Sequence, residues 1–202
     1  MANDALVAVG ASMATIAAVM AIIAASTGLV LVQRDYPDCG REFCGGAADK
    51  VFVLTCMDYR ISNQQLDVLT DLGFRRAYDH LVLAGSSLAF DPEGAAGIEA
   101  ATGVDTEAWR TTIYNHTSLA IILHEVEHFV VIDHFDCGAF RAAFGDAYGE
   151  FGELSKQKPY HTQTQESLRA WVATNFPQLQ YTAIVIDPAD CLDHSNIYNL
   201  LD

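Results

Sequence analysis

Val51-Phe52-Val53-Leu54-Thr55-Cys56-Met57-Asp58-Tyr59-Arg60 and Phe129-Val130-Val131-Ile132-Asp133-His134-Phe135-Asp136-Cys137 are the two stretches that decide the fold. Each opens with a short apolar run rich in β-branched residues, of the length and composition of a strand buried on both faces. Each run then ends in side chains that bind metal ions. Two thiols and one imidazole at the ends of two buried strands form a soft nitrogen-and-sulfur donor set, which suits zinc and leaves a fourth position for water. A three-ligand site with an open position is the catalytic kind, whereas structural zinc sites are closed.

Outward from these runs, strands and helices alternate. Gln64–Leu72 carries Leu66, Leu69 and Leu72 at helical spacing and stops at Gly73. Leu81–Ala84 is a short strand closed by Gly85. Asp91–Asn115 is looser and richer in Gly, with one helix near Thr106–Tyr114, and Leu119–Val126 continues as a helix. A short helix follows Gly138, Thr164–Asn175 is amphipathic with Leu168, Trp171 and Val172 inward, and Tyr181–Asp187 is the last strand. This order predicts an α/β fold: a mainly parallel β-sheet flanked by helices, with right-handed crossovers. In such sheets function gathers beyond the carboxyl ends of the strands, at a topological switch point. Both metal-type motifs fall at strand ends.

Cys56, Asp58 and Arg60 alternate, so a backbone that stays extended past the strand points all three the same way. A guanidinium beside a carboxylate holds it ionised through a bidentate pair. That carboxylate can accept a hydrogen bond from metal-bound water, or swing in as a fourth ligand and shut the site. His134 and Cys137, three apart across a strand-to-helix turn, can face one ion.

The pairing of C-x-D-x-R with H-x-x-C resembles the β-class carbonic anhydrases. Ser118-Leu119 opening a helix and Val130 through Gly138 are similar to the same family, and the resemblance runs from about Val51 to Asp187. It implies an α/β domain that is a homodimer or higher oligomer. It implies one zinc per chain on Cys56, His134 and Cys137, with Asp58 and Arg60 as the catalytic pair. The implied reaction is zinc-dependent hydration of carbon dioxide to bicarbonate by a metal-bound hydroxide, with His80 or His161 as candidate proton relays. Carbonyl sulfide and carbon disulfide are alternative linear substrates. The chain departs from the family on its second strand, where Val82-Leu83-Ala84-Gly85 stands in place of Arg-Asn-Ala-Gly. Its inter-motif stretch is also longer. A scaffold that keeps the fold without activity is therefore a competing reading.

A second metal motif, His124-Glu125-Val126-Glu127-His128, fits the H-E-x-x-H of helical zinc proteases. The strand-type run after His128 argues against the continuous helix that this motif requires.

The N-terminal part has another character. From Ala5 to Val32 no residue is charged, and a helix of that length reaches about 40 Å, enough to cross a bilayer. We read residues 1–33 as a single-pass membrane span or an oligomerisation helix, 34–49 as a linker or docking arm, and 50–202 as the α/β domain. Arg34, Arg41 and Lys50 follow the apolar run and none precedes it, which puts the C-terminal domain on the cytoplasmic side. The formal net charge of −15, with Lys50, Lys156 and Lys158 as the only lysines, disfavours nucleic-acid binding. The five cysteines do not form a disulfide framework. Cys39 and Cys44 are compatible with a second metal, a local disulfide or plain thiols, and Cys191 reads as a buried thiol.

Overall fold

A computed structural model describes residues 50–72, 74, 78–189 and 197–198. The readings of the apolar segment 5–32, of the arm 34–49, of Gly73 as a helix stop and of Cys39, Cys44 and Cys191 lie outside these residues. Among the described residues no helix is long and apolar enough to cross a membrane.

Four parallel strands form the sheet: β1 (Val51–Cys56), β2 (Tyr78–Leu83), β3 (His128–His134) and β4 (Gln180–Ile186). A two-residue strand, β5 (Ile197–Tyr198), adds antiparallel to β4, and the spatial order is β2-β1-β3-β4-β5. β1 steps to β2 on one side, and the chain then crosses to β3 on the other side of β1. The switch point therefore lies between β1 and β3, whose register pairs Thr55 with Ile132. Cys56 and His134 end these two neighbours.

The alternation of side chains along buried strands builds two cores. Phe52, Leu54, Phe129 and Val131 pack with residues of α3 (Thr106–His124) and α5 (Leu154–Asn175). Val51, Val53, Val130 and Ile132 face the other way, toward Val68 and Leu69 of α1 (Ser62–Asp71). A third cluster joins Cys56 and Cys137 to Ile61, Leu88, Ile98, Phe140 and Tyr148 beyond the strand ends. The metal motifs are therefore seated in a packed apolar floor.

Three elements differ from the sequence expectation. Asp91–Asn115 contains a full helix, α2 (Pro92–Thr102), with Asp91 as its N-cap on the Gly94 amide at 2.8 Å, Pro92 in its first turn and left-handed Gly103 at its C-cap. Gly94 and Gly97 lower the intrinsic helix propensity, and packing outweighs that cost. Gly97 lies against α4 (Gly138–Phe144) so closely that a Cβ would overlap the Ala143 carbonyl. α3 is one continuous helix that stops at His124, not two segments running to Val126. α5 starts ten residues before Thr164, and its core face there is polar: Gln157, His161, Thr164 and Gln165 are all buried. A hydrophobic period cannot reveal such a face.

The Gly97 contact yields a stability test. Gly97→Ala is expected to destabilise the domain by about 1–3 kcal/mol through overpacking, read as a lower denaturant midpoint at unchanged slope. An unchanged midpoint would mean that α2 and α4 do not approach as described.

Candidate metal centre

β1 delivers Cys56 at its last residue, and Asp58 follows in an extended conformation. The chain does not stay extended after that. Tyr59–Ile61 form a 3-10 turn capped by Asp58, whose Oδ1 accepts the Arg60 amide at 2.9 Å. Met57 and Tyr59 still point to solvent while Cys56, Asp58 and Arg60 turn inward, so the predicted alternation of faces survives although its backbone cause is a turn. Ile61, fully buried, anchors the turn.

Asp58 and Arg60 form a forked pair. Arg60 Nε donates to both carboxylate oxygens at 3.0 and 3.1 Å, and Nη2 donates to Oδ2 at 2.6 Å. The same Nη2 donates to the Asp136 carbonyl at 2.8 Å, so this one guanidinium ties the first motif to the second. These bonds hold the Asp58 carboxyl down at about 2, against the smaller opposing effect of burial. The pair therefore persists at neutral pH, and its stabilising contribution is lost only as pH falls from about 4 toward about 2.

β3 delivers His134, which is completely buried. His134 Nδ1 lies 2.7 Å from the Phe135 carbonyl, which can only accept, so Nδ1 carries the proton. Nε2 is then the free lone pair, and it is a buried nitrogen without a hydrogen-bond partner. A backbone carbonyl that fixes the imidazole tautomer in this way is the usual support for a metal-binding histidine. Asp136 next adopts a left-handed conformation at φ 56° and reverses the chain. Gln157 holds it there, accepting the Asp136 amide at 2.7 Å and donating to Oδ1 at 2.7 Å. The turn places Cys137 at the start of α4, facing Cys56 with the two sulfurs 3.9 Å apart.

One donor atom from each of Cys56, His134 and Cys137 lies within 4.8 Å of the others, and all three residues are buried. The set fits a divalent, thiophilic cation. It converges, it contains an orphaned imidazole nitrogen, and one of its two thiols is poised to ionise. The Cys56 thiol is pushed down to about 4, first by its hydrogen bond with Cys137 and then by His134 and the Gly85 amide, against the effect of burial. Cys137 moves the opposite way, because its neighbour's sulfur and burial both favour the neutral thiol. For His134, burial favours the neutral ring, but the Cys56 sulfur, the Phe135 carbonyl and Asp58 together outweigh it and raise its proton affinity.

Its structural neighbours are β-carbonic anhydrases. One of two tetrameric enzymes from the ascomycete Sordaria macrospora is 16% identical, with 94% of this chain and 98% of that chain covered and a TM-score of 0.48. Isoform I from Trichomonas vaginalis is 14% identical, with 95% and 98% covered and a TM-score of 0.43. In sequence, the chain is 25% identical over 151 residues to an uncharacterised protein of Rickettsia bellii, covering 69% of this chain and 84% of the relative. An uncharacterised protein of Rickettsia conorii is 24% identical over 134 residues, where 66% of this chain spans 65% of the relative's length. No family model matches.

The remaining sequence candidates are not brought to the centre. α3 ends at His124, Glu125 takes a left-handed C-cap and His128 opens β3, so the H-E-x-x-H spacing never lies on one helix. His124 pairs with Asp79 at 2.8 Å and His128 with Thr182 Oγ1 at 2.9 Å. The protease reading falls on that geometry. His161 is wholly buried and bonded to Tyr148 at 2.8 Å, while His80 sits exposed on edge strand β2, bonded to Thr55 at 2.7 Å. Two residues of the centre were not singled out as site residues in the sequence. Gln157 comes from a polar helix face, and Gly85 donates its amide to Cys56 Sγ at 3.3 Å. A glycine directly after a strand was the available signal for Gly85.

Protons and cation compete for the same lone pairs. Because His134 and Cys137 both bind protons more tightly than usual, zinc affinity should weaken as pH falls from about 8 to about 6, by about tenfold per pH unit for each proton displaced. Competition with a chromophoric chelator across that range checks this, and a pH-independent affinity would contradict the ligand set.

Proposed function

We propose that the chain is a zinc lyase that hydrates carbon dioxide to bicarbonate, with Cys56, His134 and Cys137 holding one zinc per chain. The supporting observation is the convergence of the three buried donors around an unpartnered His134 Nε2, with the Asp58 carboxylate 3.8 Å from that nitrogen. Zinc held by these residues would supply a Lewis acid able to ionise water near neutral pH.

The work of the chain's own residues follows from their protonation and geometry. Asp58, ionised far below neutral pH, is too weak a base to take a proton at pH 7. Its role is to accept a hydrogen bond at Oδ2 and so aim the attacking oxygen's lone pair at the carbon of carbon dioxide. Arg60 fixes that carboxylate through the fork and keeps it out of the ligand position. Asp136 and Gln157 hold the turn from which Arg60 takes its third partner. Ile61, Leu88, Phe140 and Tyr148 form the apolar surround that limits water around the centre. On this reading the proton leaves to bulk solvent without His161, which has no exposed face.

The domain is also proposed to associate with further copies. Leu119, Ile122 and Leu123 stand exposed at i, i+3 and i+4 on α3, beside edge strand β2 with Val82 outward. The apolar segment 5–32 is assigned as a single-pass membrane anchor or an additional oligomer contact, with domain 50–202 cytoplasmic. Retention in carbonate-washed membranes favours the anchor, and release as a large soluble assembly favours the oligomer.

Stopped-flow hydration with the full-length chain tests the activity. Cys56→Ala and His134→Ala are expected to lose zinc and fall to the uncatalysed rate; either variant retaining wild-type activity contradicts the site. Asp58→Asn is expected to keep zinc and lose about 10- to 100-fold in rate. Zinc-loaded wild-type protein that turns over neither carbon dioxide, carbonyl sulfide nor carbon disulfide would support the scaffold reading instead.

A further inference from the structure

The turn after β2 approaches the centre from the side and carries no charged residue, yet it donates a backbone hydrogen bond to a candidate ligand sulfur, Gly85 N–H to Cys56 Sγ at 3.3 Å. Its conformation is unusual. Gly85 and Ser86 are successive left-handed residues, at φ 68° and 39°, and Ser86 has a side chain that disfavours that region. A Cβ on Gly85 would press on Leu88 and Ala139. Something must hold this turn in place.

The restraint comes from β3. Ser86 Oγ donates to the Ile132 carbonyl at 3.0 Å. Ser87 donates twice to one carboxylate, its amide to Asp133 Oδ1 at 3.2 Å and its hydroxyl to Asp133 Oδ2 at 2.6 Å. Thr164 Oγ1, from α5, lies 2.7 Å from the same Ser87 hydroxyl, and His161 Nδ1 lies 3.7 Å from Asp133 Oδ2. Asp133, Ser87, Thr164 and His161 are all buried. A buried carboxyl group is costly unless it is hydrogen-bonded, and here both of its oxygens accept from Ser87 of this one turn.

We propose that Asp133 is a positioning residue for the metal centre: its carboxylate clamps Ser87, and the clamped turn keeps the Gly85 amide on the Cys56 sulfur. The consequence is chemical as well as steric. An amide hydrogen bond draws electron density from a thiolate, so it tunes both how firmly that sulfur binds a cation and how strongly the cation polarises its fourth ligand. The sequence places Asp133 beside His134, so β3 supplies a ligand and the support of a second ligand from adjacent residues pointing to opposite faces. This inference rests on Cys56 being a ligand.

Two measurements on the full-length chain test it. In wild-type protein loaded with cadmium-113, the Gly85 amide proton is expected to show a scalar correlation to the metal through Cys56 Sγ; its absence, with cadmium bound, overturns the proposal without touching the metal site. Ser87→Ala and Asp133→Asn are expected to weaken zinc binding about 10- to 100-fold in chelator competition. They should also shift the sulfur-to-metal charge-transfer band of the cobalt-loaded protein. Val172→Ala, a core truncation remote from the turn, serves as the control that lowers stability without moving the band. Wild-type affinity and an unmoved band in folded Ser87→Ala or Asp133→Asn protein overturn the proposal; if neither variant folds, the cadmium correlation alone decides. Wild-type protein that takes up no zinc or cadmium overturns this inference and the proposed function together.

Discussion

Everything at the centre depends on the parallel pairing of β1 with β3. That pairing brings Cys56 within one register position of His134, and a slip of one residue would exchange the faces that either strand presents to the two cores. The pairing is held from both sides of the sheet, because successive residues of each strand feed different cores. The ligand positions are thus fixed by the most buried part of the domain. Two polar locks then finish the geometry: Arg60, bonded to Asp58 and to the Asp136 carbonyl, and the Phe135 carbonyl, which selects the His134 tautomer.

The same arrangement explains why the thiols behave unequally. Two sulfurs 3.9 Å apart in an apolar surround cannot both carry charge cheaply. One ionises readily, supported by His134 and the Gly85 amide, and the other keeps its proton. A divalent cation held there would remove that conflict by neutralising both.

Much of this was legible in the residues. The four-strand α/β order and the trio Cys56, His134 and Cys137 could be read from short apolar runs ending in soft donors, because a buried parallel strand has no room for polar interruptions. The Asp58–Arg60 pair was legible from its alternation, although the chain turns where an extended backbone was expected. What stayed hidden has a common cause. α2 is glycine-bearing and the first half of α5 is polar on its buried face, so neither carries the apolar period that marks a helix. Gln157, Ser87 and Asp133 act through hydrogen bonds between segments far apart in the chain, and no local spacing encodes such partners. The H-E-x-x-H match failed for the opposite reason: its spacing was right, but the helix it needs stops at His124.

X-ray absorption at the zinc edge of the purified full-length protein tests the central claim most directly. Two sulfur scatterers at about 2.3 Å and a nitrogen or oxygen shell at about 2.0 Å are expected, with the sulfur signal lost in Cys137→Ser protein in proportion to one ligand. A zinc shell made of nitrogen and oxygen alone, or protein purified with zinc present that holds none, would contradict it.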